Sequence, residues 1–347
     1  MRSWAPSLVL AIALGFTDAA RADAIDDYVE AEMHRQAIPG VALGLIVKGQ
    51  AVKLRGYGLA NLEHQVSVND ETLFQSGSIG KAFTAMAIML LVEDGILTLD
   101  DSLHTWLPDA PASWQPITLR HLLNHTSGLG YWDVDEQDDY SDAELLQRAF
   151  AAPPAFSPGQ RFEYNNMGYA VLGLLIKQVT GTHYGQVLQD GVFQPLNMST
   201  ARVISDADII AQRASGYELT PDGLKNQSWV SPTFNATADG ALYLSLRDYL
   251  QWERGLTERR PLSADSWTQI FKPASLRDGT SSGYGFGWQI EPIQNPTRFS
   301  HSGGWQGFST YIQRDEKSGL TIVVLANRDR VDAGALAARI EQLFMHP

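Results

Sequence analysis

The sequence predicts an α+β fold: one antiparallel sheet built from both ends of the chain, flanked by helices, with a large helical region inserted between its halves. Three observations carry this expectation. Strand-like runs stand near the start of the chain, at residues 41–47 and 51–57, and again near its end, at 287–291, 308–314 and 320–326. The residues between them read as helical pieces and long loops, and strands at both ends around a helical middle close most simply into one sheet with an insertion. The chain of 347 residues is also long enough to bury a large core, with 44% hydrophobic and 19% charged residues, ordinary values for a globular protein.

Taken in order, residues 24–35 read as a helix. Residues 41–47 form a short apolar run, Lys48-Gly49-Gln50 supplies a turn, and 51–57 alternates, with Val52 and Leu54 on one side and Lys53 and Arg55 on the other. That pattern is a hairpin. Helical candidates follow at 81–94, 118–123, 142–150, 167–180 and 246–256, punctuated by Ala152-Pro153-Pro154 and Ser157-Pro158-Gly159. The strands at 308–314 and 320–326 are joined by the turn-rich Asp315-Glu316-Lys317-Ser318-Gly319, and a helix at 332–344 closes the chain with Leu336, Ile340 and Leu343 on one stripe. The sequence holds no internal repeat and no low-complexity segment.

The first 22 residues have the layout of a secretory signal peptide: Arg2, an apolar run from about Leu8 to Phe16, then the small-residue patterns Ala20-Arg21-Ala22 and Ala22-Asp23-Ala24. The apolar run is too short to span a bilayer, and no later run is long enough either. The expected product is a periplasmic or secreted protein without stable membrane insertion. One domain then fills 23–347, its sheet part about 23–75 and 276–347, its helical part about 76–275. A net charge of −13 disfavours nucleic acid as a partner, and the absence of cysteine excludes disulfides and thiolate catalysis. Nothing in the sequence sets an oligomeric state.

Three short motifs carry chemistry. Ser78 stands three residues before Lys81, which leads the apolar run AFTAMAIMLL. Positions three apart share a helix face. Burial of an amine favours its uncharged form, the form able to take a serine proton. Alone, the pair also fits a helix-capping serine beside a surface lysine. Tyr164-Asn165-Asn166 lies after a Pro-Gly turn and before an apolar helix; a tyrosine can shuttle protons and an asparagine amide can orient a carbonyl or an amine. Alone, it fits a packed loop tyrosine with Asn166 as helix cap. His301-Ser302-Gly303-Gly304 stands at a predicted strand edge, where glycine allows close backbone approach and the N–H of Gly304, beside that of Ser78, could form an oxyanion hole. Alone, it fits a bulge or a tight turn.

Together and in this order, Ser-x-x-Lys, Tyr-x-Asn and His-x-Gly resemble the penicillin-recognising serine hydrolases, and specifically the class C β-lactamase-like family with its D,D-peptidase, D-aminopeptidase and esterase members. IPGVALGLIVKGQ, TLFQSGSIGKAFTA, LLNHTSGL, FSPGQRFEYNNMGYAVLG and YGFGW are similar to family blocks in family order, so the resemblance covers nearly all of the chain after the leader. It implies Ser78 as the nucleophile that forms an acyl-enzyme, Lys81 as its general base, and Tyr164 as general acid/base. It implies Asn166, His301 and Gly303 at the substrate, the N–H groups of Ser78 and Gly304 as the oxyanion hole, and no cofactor. Tyr164 and Asn166 would be the partners that compensate the buried Lys81.

His301 departs from the lysine that many members carry there. An unperturbed histidine is roughly a quarter charged at pH 7, so the fixed charge for a substrate carboxylate is missing. Small ester or amide hydrolysis ranks first, D-amino-acid peptides close behind, and a β-lactamase or D,D-carboxypeptidase third. A penicillin- or peptide-binding sensor without turnover is the alternative of another class. His121 and His125 are four apart and could face one metal, but they lie in a family loop block, and no metal is expected. The acidic run from Asp133 to Asp142 reads as a solvated loop near the cleft rim. Tyr131, Trp132, Trp229 and Trp305 are weaker candidates for lining the pocket.

Overall fold

The structure, a computed structural model, describes residues 24–291 and 296–346; the leader read at 1–22 lies outside them. Helix α1 (residues 24–36) leads into β1 (Gly40–Val47), β2 (Gln50–Asn61) and the short β3 (Val66–Ser67). The chain then leaves the sheet through β4 (Phe74–Gln75), α2 (Gly80–Glu93), α3 (Leu119–Leu123), α4 (Asp142–Ala151), α5 (Asn166–Thr180) and α6 (Tyr184–Leu188). It continues through β5 (Arg202–Val203), the hairpin β6 (Tyr217–Thr220) and β7 (Gly223–Asn226), β8 (Leu242–Leu244), α7 (Leu246–Thr257) and α8 (Ala264–Ile270). It returns through β9 (Gln289–Glu291), β10 (Arg298–Trp305), β11 (Phe308–Asp315), β12 (Leu320–Ala326) and α9 (Ala333–Met345).

The main sheet has the order β3-β2-β1-β12-β11-β10-β9. Its two halves meet where β1 pairs antiparallel with β12, from Val41 opposite Ala326 to Val47 opposite Leu320. Both strands are buried on both faces, which is why they read as continuous apolar runs. Val41, Leu43 and Leu45 of β1 and Ile322 and Val324 of β12 pack against Ile25 and Val29 of α1 and Leu336 and Ile340 of α9. Ala42, Val323 and Leu325 face the larger core shared with the helical region. The polar side of β2 also has a partner layer: Lys53, Arg55 and Tyr57 all converge on Asp26 of α1.

The structure adds to the expected elements in two places. The middle of the chain is not only helical, since β4-β8-β5 form a small sheet and β6–β7 a hairpin. Strands of two to four residues carry too little alternation to be read. The segment His301–Gly304 belongs to β10, in register with β11 from Arg298 opposite Asp315 to Trp305 opposite Phe308, and has no strand partner on its other side among the described residues. Cross-strand pairing overrides the low strand propensity of Ser-Gly-Gly. Helix α2 has no polar face in its first three turns and is buried from Gly80 to Met89, lying inside the core rather than on it.

Candidate active site

The site begins where β4 hands over to α2. Strand β4 pairs with β8, Phe74 opposite Leu244. The chain then makes a tight helical turn, Gly77–Ile79, with Gly77 at φ 53°, and enters α2. A β-carbon on Gly77 would stand 2.6 Å from the Gly304 nitrogen, and one on Gly240 would stand 2.7 Å from the Gly77 carbonyl. Only glycines let three backbones meet this closely. Thr310 Oγ1 donates to Ser76 O at 2.7 Å and ties the turn to the sheet. Ser78, partly exposed, therefore stands at the mouth of a buried helix, beside β10.

One turn further, Lys81 is 0% exposed. Its Nζ lies 3.0 Å from Ser78 Oγ and donates to the carbonyl of Asp239. It also lies 5.0 Å from the centre of the Tyr164 ring and 5.5 Å from that of Tyr169. A hydroxyl, a backbone carbonyl and two ring faces thus replace the water this amine has lost. The expected compensating partners were Tyr164 and Asn166. Tyr164 supplies its ring rather than its hydroxyl, which is buried with no hydrogen-bond partner among the described residues. Asn166 is exposed in the first turn of α5 and makes no hydrogen bond to Lys81 among the described residues. The cap of α5 is Asn165, whose Oδ1 accepts from Gly168 N–H at 2.9 Å while its Nδ2 donates to Leu129 O and Gly130 O at 3.0 Å. With Asn165 spent in the cap, Asn166 is left at the surface.

On β10 the period of two turns His301 and Gly303 inward and Ser302 and Gly304 outward. His301 is 2% exposed, and its ring is fully engaged. Nδ1 lies 2.6 Å from Ser302 O, an acceptor, so Nδ1 carries the proton; Nε2 then accepts from Tyr284 O–H at 2.8 Å. Burial, reinforced by the charge of Lys81, pushes its pKa from 6.5 down to about 4, although the bond to Ser302 O works against the shift. His301 and Gly303 therefore underlie the site, and Ser302 and Gly304 offer the exposed positions. Strand β9 pairs only with Arg298–Ser300, so β10 is the sheet edge beyond that point.

His121 and His125 are put to separate uses. His121 completes a capping box with Thr118 at the start of α3, and His125 is buried among aromatic rings. Part of the acidic run, with Ser228, Trp229 and Gln306, lines a cavity of about 680 Å³. Tyr131 is 64% and Trp229 56% exposed, whereas Trp132 and Trp305 pack against the core. The sequence reading missed the carbonyl of Asp239, which no side-chain pattern signals, and the aromatic wall of Tyr169 and Tyr284.

A sheet closed from both chain ends, with a serine–lysine pair at the mouth of its central buried helix, defines the β-lactamase-like class of serine hydrolases. The family model described as beta-lactamase matches residues 25–344, and the chain belongs to that family. It is 30% identical over 301 residues to Penicillin-binding protein 4* of Bacillus subtilis (strain 168), covering 81% of this chain and 66% of that protein. The chain thus spans just under two thirds of that relative's length. It is likewise 30% identical over 310 residues to the putative penicillin-binding protein PbpX of the same organism, covering 86% of this chain and 74% of that protein. Among solved structures, a penicillin binding protein from Bacillus halodurans is similar with a TM-score of 0.79 at 27% identity, covering 91% of this chain and 98% of that one.

Proposed function

We propose that the protein is an exported serine hydrolase that forms an acyl-enzyme through Ser78 and cleaves small ester or amide bonds or D-amino-acid peptide bonds. The observation that carries this reading is the wholly buried Lys81, with Nζ 3.0 Å from Ser78 Oγ, within reach for direct proton transfer. Ser78 Oγ attacks the substrate carbonyl as its proton passes to Lys81, which takes it in its uncharged form. The N–H groups of Ser78 and Gly304 meet the oxygen that becomes negative, a role supported by the close approach of the Gly77 and Gly304 backbones. Tyr164 delivers the proton to the departing alcohol or amine, and water then releases the acyl group by the reverse route. Asn166, exposed at the head of α5, is the group left to orient the substrate amide. The scheme uses no metal or organic cofactor.

Substrate class follows from charge. With a pKa of about 4, His301 is charged in roughly one molecule in a thousand at pH 7. No fixed positive charge awaits a carboxylate there, which favours neutral esters, amides and peptides over β-lactams and D,D-carboxypeptidase substrates. Export rests on the leader at residues 1–22, and a secreted or periplasmic product beginning near Asp23 by amino-terminal sequencing checks it; a full-length cytoplasmic product refutes it.

The test is steady-state hydrolysis of a short-chain nitrophenyl ester by the wild type and Ser78→Ala, followed by a panel of D-peptides and β-lactams. Continued turnover that falls by about three orders of magnitude or more in the variant is expected. Equal rates would remove Ser78 from the mechanism. A single burst followed by silence would make the protein an acylated sensor.

A further inference from the structure

We infer that His125 is a positioning residue for Tyr164, gripping the backbone on both sides of the tyrosine and one face of its ring. This rests on the proposed role of Tyr164 as proton donor. Tyr164 has no anchor at its tip, since its hydroxyl lacks a hydrogen-bond partner among the described residues. Its orientation must come from its base and its ring.

His125 supplies both. It follows α3 in the left-handed region at φ 58°, an uncommon conformation for a residue with a side chain. There its carbonyl accepts from Glu163 N–H at 2.9 Å while its Nδ1 accepts from Asn165 N–H at 3.1 Å. These are the two chain neighbours of Tyr164. The His125 and Tyr164 ring centres stand 4.3 Å apart, tilted by 40°. The imidazole is itself held by Tyr284 at 4.8 Å and Tyr169 at 5.1 Å, and it is 1% exposed.

The grip requires a neutral ring. Nδ1 can accept from Asn165 only while it carries no proton, which places the single proton on Nε2. A second proton would set two N–H groups against each other. The titratable groups around it are Lys81 from α2, His301 from β10, Tyr164 and Tyr169 at the start and in the first turn of α5, and Tyr284 before β9. Burial first, then the charge of Lys81 and the neighbouring His301, hold its pKa well below 6.5. Both causes act against a second proton on the ring and so favour the closed grip.

A histidine that merely fills core volume would be replaceable by phenylalanine; one that also accepts a backbone N–H would not. His125→Phe keeps a ring and removes the acceptor, and His125→Asn keeps an acceptor near the Nδ1 position and removes the ring. Both are compared with wild type and Ser78→Ala in nitrophenyl ester hydrolysis, with active sites counted by fluorophosphonate labelling. The expected result is a kcat per labelled site at least tenfold lower in His125→Phe at a KM within twofold of wild type, with partial recovery in His125→Asn. A His125→Phe kcat per site within twofold of wild type would overturn the inference. Full activity in Ser78→Ala would instead overturn the acyl-enzyme reading on which it rests. If neither His125 variant folds, nitrogen NMR of the wild-type ring decides. A neutral ring protonated on Nε2 and unchanged from pH 5 to 8 is expected, and titration in that range or a proton on Nδ1 overturns the assignment.

Discussion

A β-carbon on Gly303 would stand 2.1 Å from Ser76 O and 2.2 Å from Thr310 Oγ1, whereas one on Gly304 would meet nothing within 4 Å. The two neighbouring glycines thus serve different ends. Gly303 closes the seam between β10 and the Ser76–Ser78 turn, and Gly304 keeps the face beside Ser78 open. Gly303→Ala is expected to destabilise the protein by about 2 kcal/mol, the usual cost of overpacking, and to reduce ester turnover by pushing Ser78 away from Gly304. Gly304→Ala is expected to change stability by no more than about 0.5 kcal/mol. Equal midpoints in the two variants would contradict this division. At this scale the nearness of Ser78 and Lys81 was legible, because a helical turn leading straight into α2 brings positions three apart together and needs no tertiary information. It did not reach the carbonyl of Asp239 on Lys81 or the burial of His301, which depend on backbone distant in the chain.

Helix α7 shows how elements are fixed around the site. Ser245 accepts from Asp248 N–H at 3.2 Å and donates to Asp248 Oδ2 at 2.8 Å, while Ser245 N–H also donates to that carboxylate at 2.9 Å. This capping box sets the start of α7 directly after β8, whose partner β4 leads into the Ser78 turn. Ser245→Ala is expected to lower stability by about 1 kcal/mol in urea unfolding with kcat unchanged; an unchanged midpoint would show the cap to be idle. Helices of this kind were legible to within one or two residues, α7 being read at 246–256 and found at Leu246–Thr257. Caps and 3.6-residue periodicity mark helices locally. Strand β10 was not legible through His301–Gly304, because its identity comes from pairing with β11.

Across the whole molecule, closure of the sheet from both chain ends was legible, since β1 and β12 are strong apolar runs that need each other to bury two faces. The fold also sets the response to acid. His301, His125, His121 and His183 all have lowered pKa values, with burial the largest cause in each. Unfolded, each would take a proton near pH 6.5; folded, each resists. The unfolded chain therefore binds more protons between about pH 6.5 and 4, and stability falls as pH drops through that window. Above it these groups are neutral in both states and contribute no slope. His301 alone, displaced from 6.5 to about 4, accounts for a loss of about 3 kcal/mol. A urea midpoint that is level from pH 7 to 8 and falls steadily from 6.5 to 4 is the expected profile, and a level midpoint down to pH 4.5 would contradict it.

The central claim is that Ser78 carries the acyl group, and rapid quenching of the wild type during nitrophenyl ester turnover, followed by intact-mass measurement and peptide mapping, tests it most directly. One acyl group per chain, mapped to the peptide containing Ser78 and absent from Ser78→Ala, is the expected result. An adduct on another residue, or turnover with no adduct at any quench time while Ser78→Ala remains active, would contradict it.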